Sequence, residues 1–232
     1  MFWRNIWVGS NVNGSKSDHS CRLKLERWKR FLIFVQSVAG QLWFLTKVAG
    51  SVLLAASVNA KDFFVYVFTG DGKGKTTAAL GQALRARGRG WKVLIIQFIK
   101  KIPSGEVEPL KKLGIDIFPM GLGFVGVSKD KSSFKKHQKA AQQAFAFAKE
   151  KVGGGGYNLL ILDEVVVAIS LGLLKEGEVR QFLRKRPKGL NVILTGRNAS
   201  ESLIEGADLV TEMREIKHPH KAGYKARPGL EY

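Results

Sequence analysis

The most chemically specific stretch of the chain is Thr69-Gly70-Asp71-Gly72-Lys73-Gly74-Lys75-Thr76-Thr77. It stands between an apolar run suited to a strand and a stretch suited to a helix, the setting in which a glycine-rich loop cradles phosphate. Glycines lacking a Cβ let backbone N–H groups close on phosphate oxygens. Lys75 supplies a point charge, the Thr76 hydroxyl can reach a Mg2+ ion, and the following helix offers its positive end. Gly70, Asp71, Gly72, Lys73, Gly74 and Thr77 complete the candidate nucleotide contacts. The general pattern places a glycine where this chain has Thr69, so the loop, counted from its first glycine, is one residue short. The structural alternative is an ordinary glycine-rich strand-to-helix turn of an α/β protein.

A second group of oxygen ligands follows the apolar residues 159–162, where Asp163 and Glu164 end a predicted strand. Carboxylates at the carboxyl edge of a sheet hold Mg2+ in phosphate-loop enzymes. Acidic residues after strands are common, so this signal gains its weight from the loop about ninety residues upstream. Thr76, Asp163 and Glu164 together form the candidate Mg2+ site.

These residues need a scaffold that brings two strand ends together. Short buried-strand candidates at 63–68, 93–98, 115–118, 159–162 and 192–194 alternate with helix-forming stretches at 76–87 and 134–152. Phe134, Ala141, Phe145, Ala148 and Val152 recur at helical spacing, and the four glycines from Gly153 to Gly156 end that helix. The alternation predicts an α/β fold, a mostly parallel sheet flanked by helices; with the phosphate loop at its first turn, the pattern resembles the P-loop NTPase (RecA-like) type.

Further blocks narrow the reading. Gly70–Gly81 with Arg85, then Gln97-Phe98-Ile99-Lys100, Gly123-Phe124, Leu162-Asp163-Glu164 and Leu194-Thr195-Gly196-Arg197 occur in order. Ala207–Met213, Lys217-His218-Pro219 and Gly229–Tyr232 complete the series. From about residue 63 to the C-terminus the chain resembles the cob(I)alamin adenosyltransferase family of the corrinoid-utilising type. The resemblance implies transfer of the 5′-deoxyadenosyl group of ATP to the Co(I) of a reduced corrinoid, with release of triphosphate. Beside the loop, Arg85 on the helix behind it and Arg197 at the sheet edge after Leu194-Thr195 are further candidate nucleotide contacts, the alternative for Arg197 being a sheet-edge residue that does not touch nucleotide. The resemblance also implies a homodimer, a reductant that supplies Co(I), and an ATP orientation that directs attack to the ribose carbon. In the resembled family, aromatic residues of the Gly-Phe block displace the lower cobalt ligand. Phe124 is the candidate here, the alternative being a core or loop-anchor aromatic; Gly126 stands where some relatives carry tryptophan.

Composition sets the outer bounds. The 232 residues carry 38 Lys and Arg against 19 Asp and Glu, a net charge of +19 that suits anionic partners. Cys21 is the single cysteine, which excludes an intramolecular disulfide framework. Residues 1–60 read as a basic and apolar extension and 61–232 as the catalytic domain. A basic stretch at 22–30 runs into apolar runs at 31–46 and 48–60, split by Lys47. The extension is a membrane anchor, a targeting segment, or upstream sequence translated from a misassigned start. ATP use by the domain behind it points to the cytoplasm, with membrane association only if residues 1–60 are genuine.

The remaining features are weighed the same way. The lysine-rich stretch 129–139, flanked by Asp130 and His137, is a solvated helix start or a basic lid. His218 and His220 lack the company a metal pair needs and fit a C-terminal segment covering the site. Two rivals to the transferase are a P-loop ATPase or kinase that binds nucleic acid, and a membrane-tethered nucleotide-binding adaptor. No nucleic-acid-reading motif is recognisable, and none is expected as a partner.

Overall fold

The computed structural model describes residues 63–101, 104–123 and 131–230. The expected extension, residues 1–60, lies outside the described residues, as do Cys21, Phe124, Gly126, Lys129 and Asp130.

Among the described residues six parallel strands form one sheet. They are β1 (Val65–Thr69), β2 (Val93–Gln97), β3 (Asp116–Pro119), β4 (Leu159–Asp163), β5 (Asn191–Thr195) and β6 (Leu209–Glu212). Their spatial order is β3-β2-β4-β5-β1-β6, every neighbouring pair parallel. Side chains alternate between faces, and both faces are covered. Val93, Ile95, Leu159, Ile161 and Ile193 pack beneath α1 (Lys75–Gly88) and α2 (Val107–Lys112). Leu94, Ile96, Leu160, Leu162, Val192 and Leu194 pack on the other face. There they meet α3 (Lys131–Gly153), α4 (Val165–Ser170), α5 (Glu176–Lys185) and α6 (Glu201–Glu205).

The predicted α/β class holds, with shifts at the element ends. The strand expected from residue 63 begins at Val65, because Phe64 spends its N–H on the Asn191 side chain, 3.0 Å away, and leaves its ring 41% exposed. The helix expected over 134–152 runs from Lys131 to Gly153. Ala141, Phe145, Ala148 and Val152 are buried as their spacing requires, but Phe134 is 40% exposed and leaves that stripe. The stretch 129–139 is therefore helix from Lys131 onward, which favours the solvated helix start. Phe145 meets Phe182 edge-on at 5.6 Å, fixing α3 against α5. Among the described residues no helix is long and apolar enough to cross a membrane.

The strand order decides where chemistry can happen. β5 lies between β1, which feeds the phosphate loop, and β4, which ends in Asp163. The carboxyl ends of β1, β5, β4 and β2 therefore open onto one edge, where ligands bind in open α/β sheets.

Candidate active site

The loop after β1 turns through two glycines with positive φ, Gly70 at 92° and Gly74 at 118°. Close approach of another backbone adds a second demand. A Cβ on Gly70 would lie 2.5 Å from the Met213 carbonyl oxygen, and one on Gly72 would lie 2.7 Å from the Arg214 carbonyl. The chain leaving β6 thus lies directly on the loop. Gly72 N–H donates to the Met213 carbonyl at 2.6 Å, and Met213 N–H donates to the Thr69 carbonyl at 2.8 Å. Thr69, the departure from the general pattern, has a structural use: its hydroxyl accepts from Ala199 N–H at 3.2 Å, tying the loop to the turn before α6.

Lys75 opens α1 and is 7% exposed. Its Nζ donates to the carbonyls of Gly70 at 2.6 Å and Gly72 at 2.7 Å, which curls the loop around the ammonium. Burial lowers its proton affinity; Glu164 opposes that shift, and Arg197 adds to it. Lys73 reaches out of the loop to the Leu230 carbonyl at 2.6 Å.

Beside the loop, the Thr76 hydroxyl donates to Asp163 Oδ1 at 2.8 Å, across 87 residues of sequence. Asp163 is fully buried. Its Oδ1 also accepts from the Thr195 hydroxyl at 2.8 Å, and its Oδ2 accepts from Gln97 Nε2 at 3.1 Å. Thr195 Oγ1 in turn accepts the N–H of Glu164 at 2.8 Å, holding Glu164 in a left-handed conformation with φ 64°. Burial, followed by the neighbouring Asp163 charge, pushes the Glu164 carboxyl up; Lys75, Lys100 and Arg197 pull it down. Adjacent carboxylates that repel each other, with a hydroxyl whose proton is already committed to Asp163, form an all-oxygen set. That set fits a hard divalent cation such as Mg2+.

Of the remaining sequence-predicted residues, Asp71 and Arg197 line a cavity of about 450 Å3 with Glu212, Arg214, Glu215 and Lys221. Thr77 is exposed on the first turn of α1. Arg85 is not brought to the loop: ten residues beyond Lys75, it stands about 15 Å along the helix axis. It lies exposed in the last turn of α1. The helix that presents Lys75 to the loop carries Arg85 away from it. Phe124 lies outside the described residues, but Gly123 before it donates its N–H to the Ile99 carbonyl at 2.8 Å. His218 begins a 3-10 turn, Pro219–Ala222, its Nδ1 accepting from His220 N–H at 3.2 Å. Lys221 of that turn pairs with Glu215. Among the described residues no group of three or more His, Cys, Asp or Glu gathers to hold a metal.

Sequence reasoning missed three members of this network as individual site residues. Thr195 and Gln97 are strand-end polar residues after apolar runs, the one local signal that marks them. Glu106 has none; it is recognised by its partners, accepting from Lys100 Nζ at 2.5 Å and from Gln97 Nε2 at 3.2 Å. Burial alone would raise the Glu106 carboxyl, but the hydrogen bonds from Lys100 and Ser104 dominate and lower it from 4.5 to about 2. A depressed carboxyl contributes stability that is fully present above its unfolded value and lost as pH falls through the folded one. The melting temperature is therefore expected to drop as pH is lowered through the window from 4.5 to about 2, with a shallower drop in Glu106→Gln. Equal slopes for both proteins in a thermal melt series would remove this contribution.

Comparison with known proteins shows the family. A family model described as ATP:corrinoid adenosyltransferase BtuR/CobO/CobP matches residues 61–232. The corrinoid adenosyltransferase of Escherichia coli strain K12 is 38% identical over 169 residues, covering 72% of this chain and 85% of that protein. The corrinoid adenosyltransferase of Sinorhizobium sp is 37% identical over 191 residues, with 80% of this chain and 87% of that protein covered. Corrinoid adenosyltransferase CobA of Salmonella typhimurium strain LT2 is 36% identical over 169 residues, with 72% and 85% covered.

Proposed function

The chain belongs to the ATP:corrinoid adenosyltransferase family BtuR/CobO/CobP, and from that premise we propose how its own residues divide the work of adenosyl transfer. The enzyme moves the 5′-deoxyadenosyl group of ATP to a corrinoid, in adenosylcobalamin synthesis. The nucleophile is the reduced cobalt of the substrate. Its electron pair forms the cobalt–carbon bond while the C5′–O bond breaks and triphosphate leaves with that bond's electrons. Cobalt goes from Co(I) to Co(III), and no proton moves.

Such a reaction needs no catalytic base. It needs a leaving group held still and neutralised where its charge grows, which is positioning plus electrostatic stabilisation. The observation that carries this reading is the Lys75 ammonium, held by the Gly70 and Gly72 carbonyls in the centre of the loop. Triphosphate oxygens offer it stronger acceptors than two carbonyls. Gly70, Asp71, Gly72 and Gly74 line the same turn, Thr77 follows on the first turn of α1, Lys73 adds a second cation, and Arg197 lines the adjoining cavity. Arg85 has no place in this set.

Thr76, with its proton directed at Asp163, would offer its hydroxyl oxygen to Mg2+, and Glu164 would be the second ligand. Asp163 contributes by orienting Thr76, its Oδ1 accepting the Thr76 and Thr195 hydroxyls while its Oδ2 accepts the Gln97 amide. When bound, Mg2+ would neutralise triphosphate charge. Phe124 belongs to the corrinoid side on the strength of the resemblance alone. Generating Co(I) requires an electron donor, so a reductase or a low-potential carrier is the partner proposed. A homodimer follows from the resemblance, and a cytoplasmic site from the ATP requirement. The nucleic-acid ATPase is the rival that family membership does not support.

The test uses the full chain with Mg-ATP and chemically reduced cob(I)alamin, without oxygen. The expected products are a light-sensitive adenosylcobalamin spectrum and intact triphosphate. ADP and free phosphate, with no corrinoid change, would overturn the assignment.

A further inference from the structure

We propose that Gln97 is a positioning residue of the nucleotide site, its carboxamide fixing Asp163 so that Oδ1 stays turned to Thr76. The inference rests on the reading above that Thr76, oriented by Asp163, and Glu164 hold the metal of Mg-ATP.

β2 is apolar until its last residue, and that residue is fully buried. Burying an amide is unfavourable unless its hydrogens are used. Both hydrogens of Gln97 Nε2 are: one goes to Asp163 Oδ2 at 3.1 Å, the other to Glu106 Oε1 at 3.2 Å. Gln97 and Asp163 are also Cα partners in the β2–β4 register, so the reach is short and fixed. Both acceptors are carboxylates, which settles the orientation of the amide: turned over, Oε1 would face two anions. In the orientation it takes, Oε1 is buried with no partner. A buried unsatisfied oxygen is a cost that an apolar residue at this strand end would avoid. The side chain accepts it while placing its NH2 group.

The surroundings show what that NH2 group does. Lys100 Nζ pairs with Glu106, also donates to Ser104 Oγ at 3.2 Å, and lies 4.0 Å from Asp163 Oδ2. Gln97 meets Oδ2 with a neutral donor at closer range than the lysine. Asp163 thereby keeps Oδ1 on the Thr76 and Thr195 hydroxyls, and Glu106 anchors the far side of the amide through its ion pair with Lys100.

The experiment measures ATP binding by the full chain by calorimetry, at graded free Mg2+ and in EDTA. Gln97→Met keeps the length and removes the donors. The Mg2+ concentration for half-maximal enhancement of ATP binding is expected to rise roughly 10–100-fold, the range for removing a partner of a metal ligand. Binding in EDTA is expected to stay at the wild-type level. Gln97→Asn retains the amide but retracts it, and gives a smaller rise; it decides alone if Gln97→Met does not fold. A wild-type Mg2+ midpoint in folded variants overturns the proposal, as does an equal loss of binding with and without Mg2+. Wild-type protein whose ATP binding ignores Mg2+ overturns the metal reading itself, and is told apart because it needs no variant.

Discussion

Lys75→Met is expected to lower kcat/KM for adenosyl transfer by about 100- to 1000-fold, the range for losing one preorganised group that stabilises transition-state charge. The whole triphosphate departs with the electrons of the C5′–O bond, so negative charge on the bridging oxygen increases as the cobalt–carbon bond forms. An ammonium fixed at the loop centre meets that charge without reorganising. In the ligand-free protein the same ammonium satisfies two loop carbonyls, yet its burial disfavours the charged form. Removing it therefore relieves one unfavourable term and creates another, the two carbonyls left without a donor. These oppose each other, so stability changes by about 1 kcal/mol or less, about 2–4 °C in melting temperature for a chain of this size. The variant should fold, melt close to wild type and fail in catalysis. A loss in activity matched by a large loss in melting temperature would instead make Lys75 a loop-folding residue. Activity within threefold of wild type would remove it from the mechanism.

The contrast between Lys75 and Arg85 shows what sequence could and could not reveal. Both follow the loop in one helix-forming stretch, and pattern alone attaches both to ATP. Helical rise places one in the loop and the other about 15 Å off. The central strands were legible because each is an uninterrupted apolar run buried on both faces, as β4 with its five buried residues is. β6 was not, because all four of its residues are exposed and its pairing to β1 is an edge contact. That strand nonetheless shapes the site: it delivers Met213 and Arg214 onto Gly70 and Gly72, giving those glycines a second reason beyond phosphate approach. Asp163 was legible as a strand-end carboxylate and Thr76 as a loop hydroxyl. Their hydrogen bond, and the part of Thr195 and Gln97 in it, depends on which strands are neighbours. That order is a tertiary property which no local window contains.

Because Asp163 is where those neighbours meet, Asp163→Asn tests the assembled site more severely than a change in the loop. The carboxylate accepts three donors: the Thr76 hydroxyl, the Thr195 hydroxyl and the Gln97 amide. An asparagine offers one acceptor oxygen and an NH2 group. If its oxygen faces the hydroxyls, its NH2 meets the Gln97 NH2; if it is turned over, it meets both hydroxyls. Thr195 has little freedom to adapt, since its oxygen already accepts the Glu164 N–H that holds the left-handed turn. One donor left unpaired in a fully buried place costs about 1–3 kcal/mol. The expected outcome is a lower melting temperature together with a fall of about 100-fold in activity at saturating ATP, as for loss of a partner that orients a metal ligand. Thr76→Val separates the two effects. It removes the oriented hydroxyl and leaves the other two donors to Asp163, so activity should fall as far while the melting temperature falls less. If Thr76→Val keeps full activity while Asp163→Asn loses it, Asp163 acts on the substrate by a route other than Thr76, and the division of labour proposed for these oxygens is wrong.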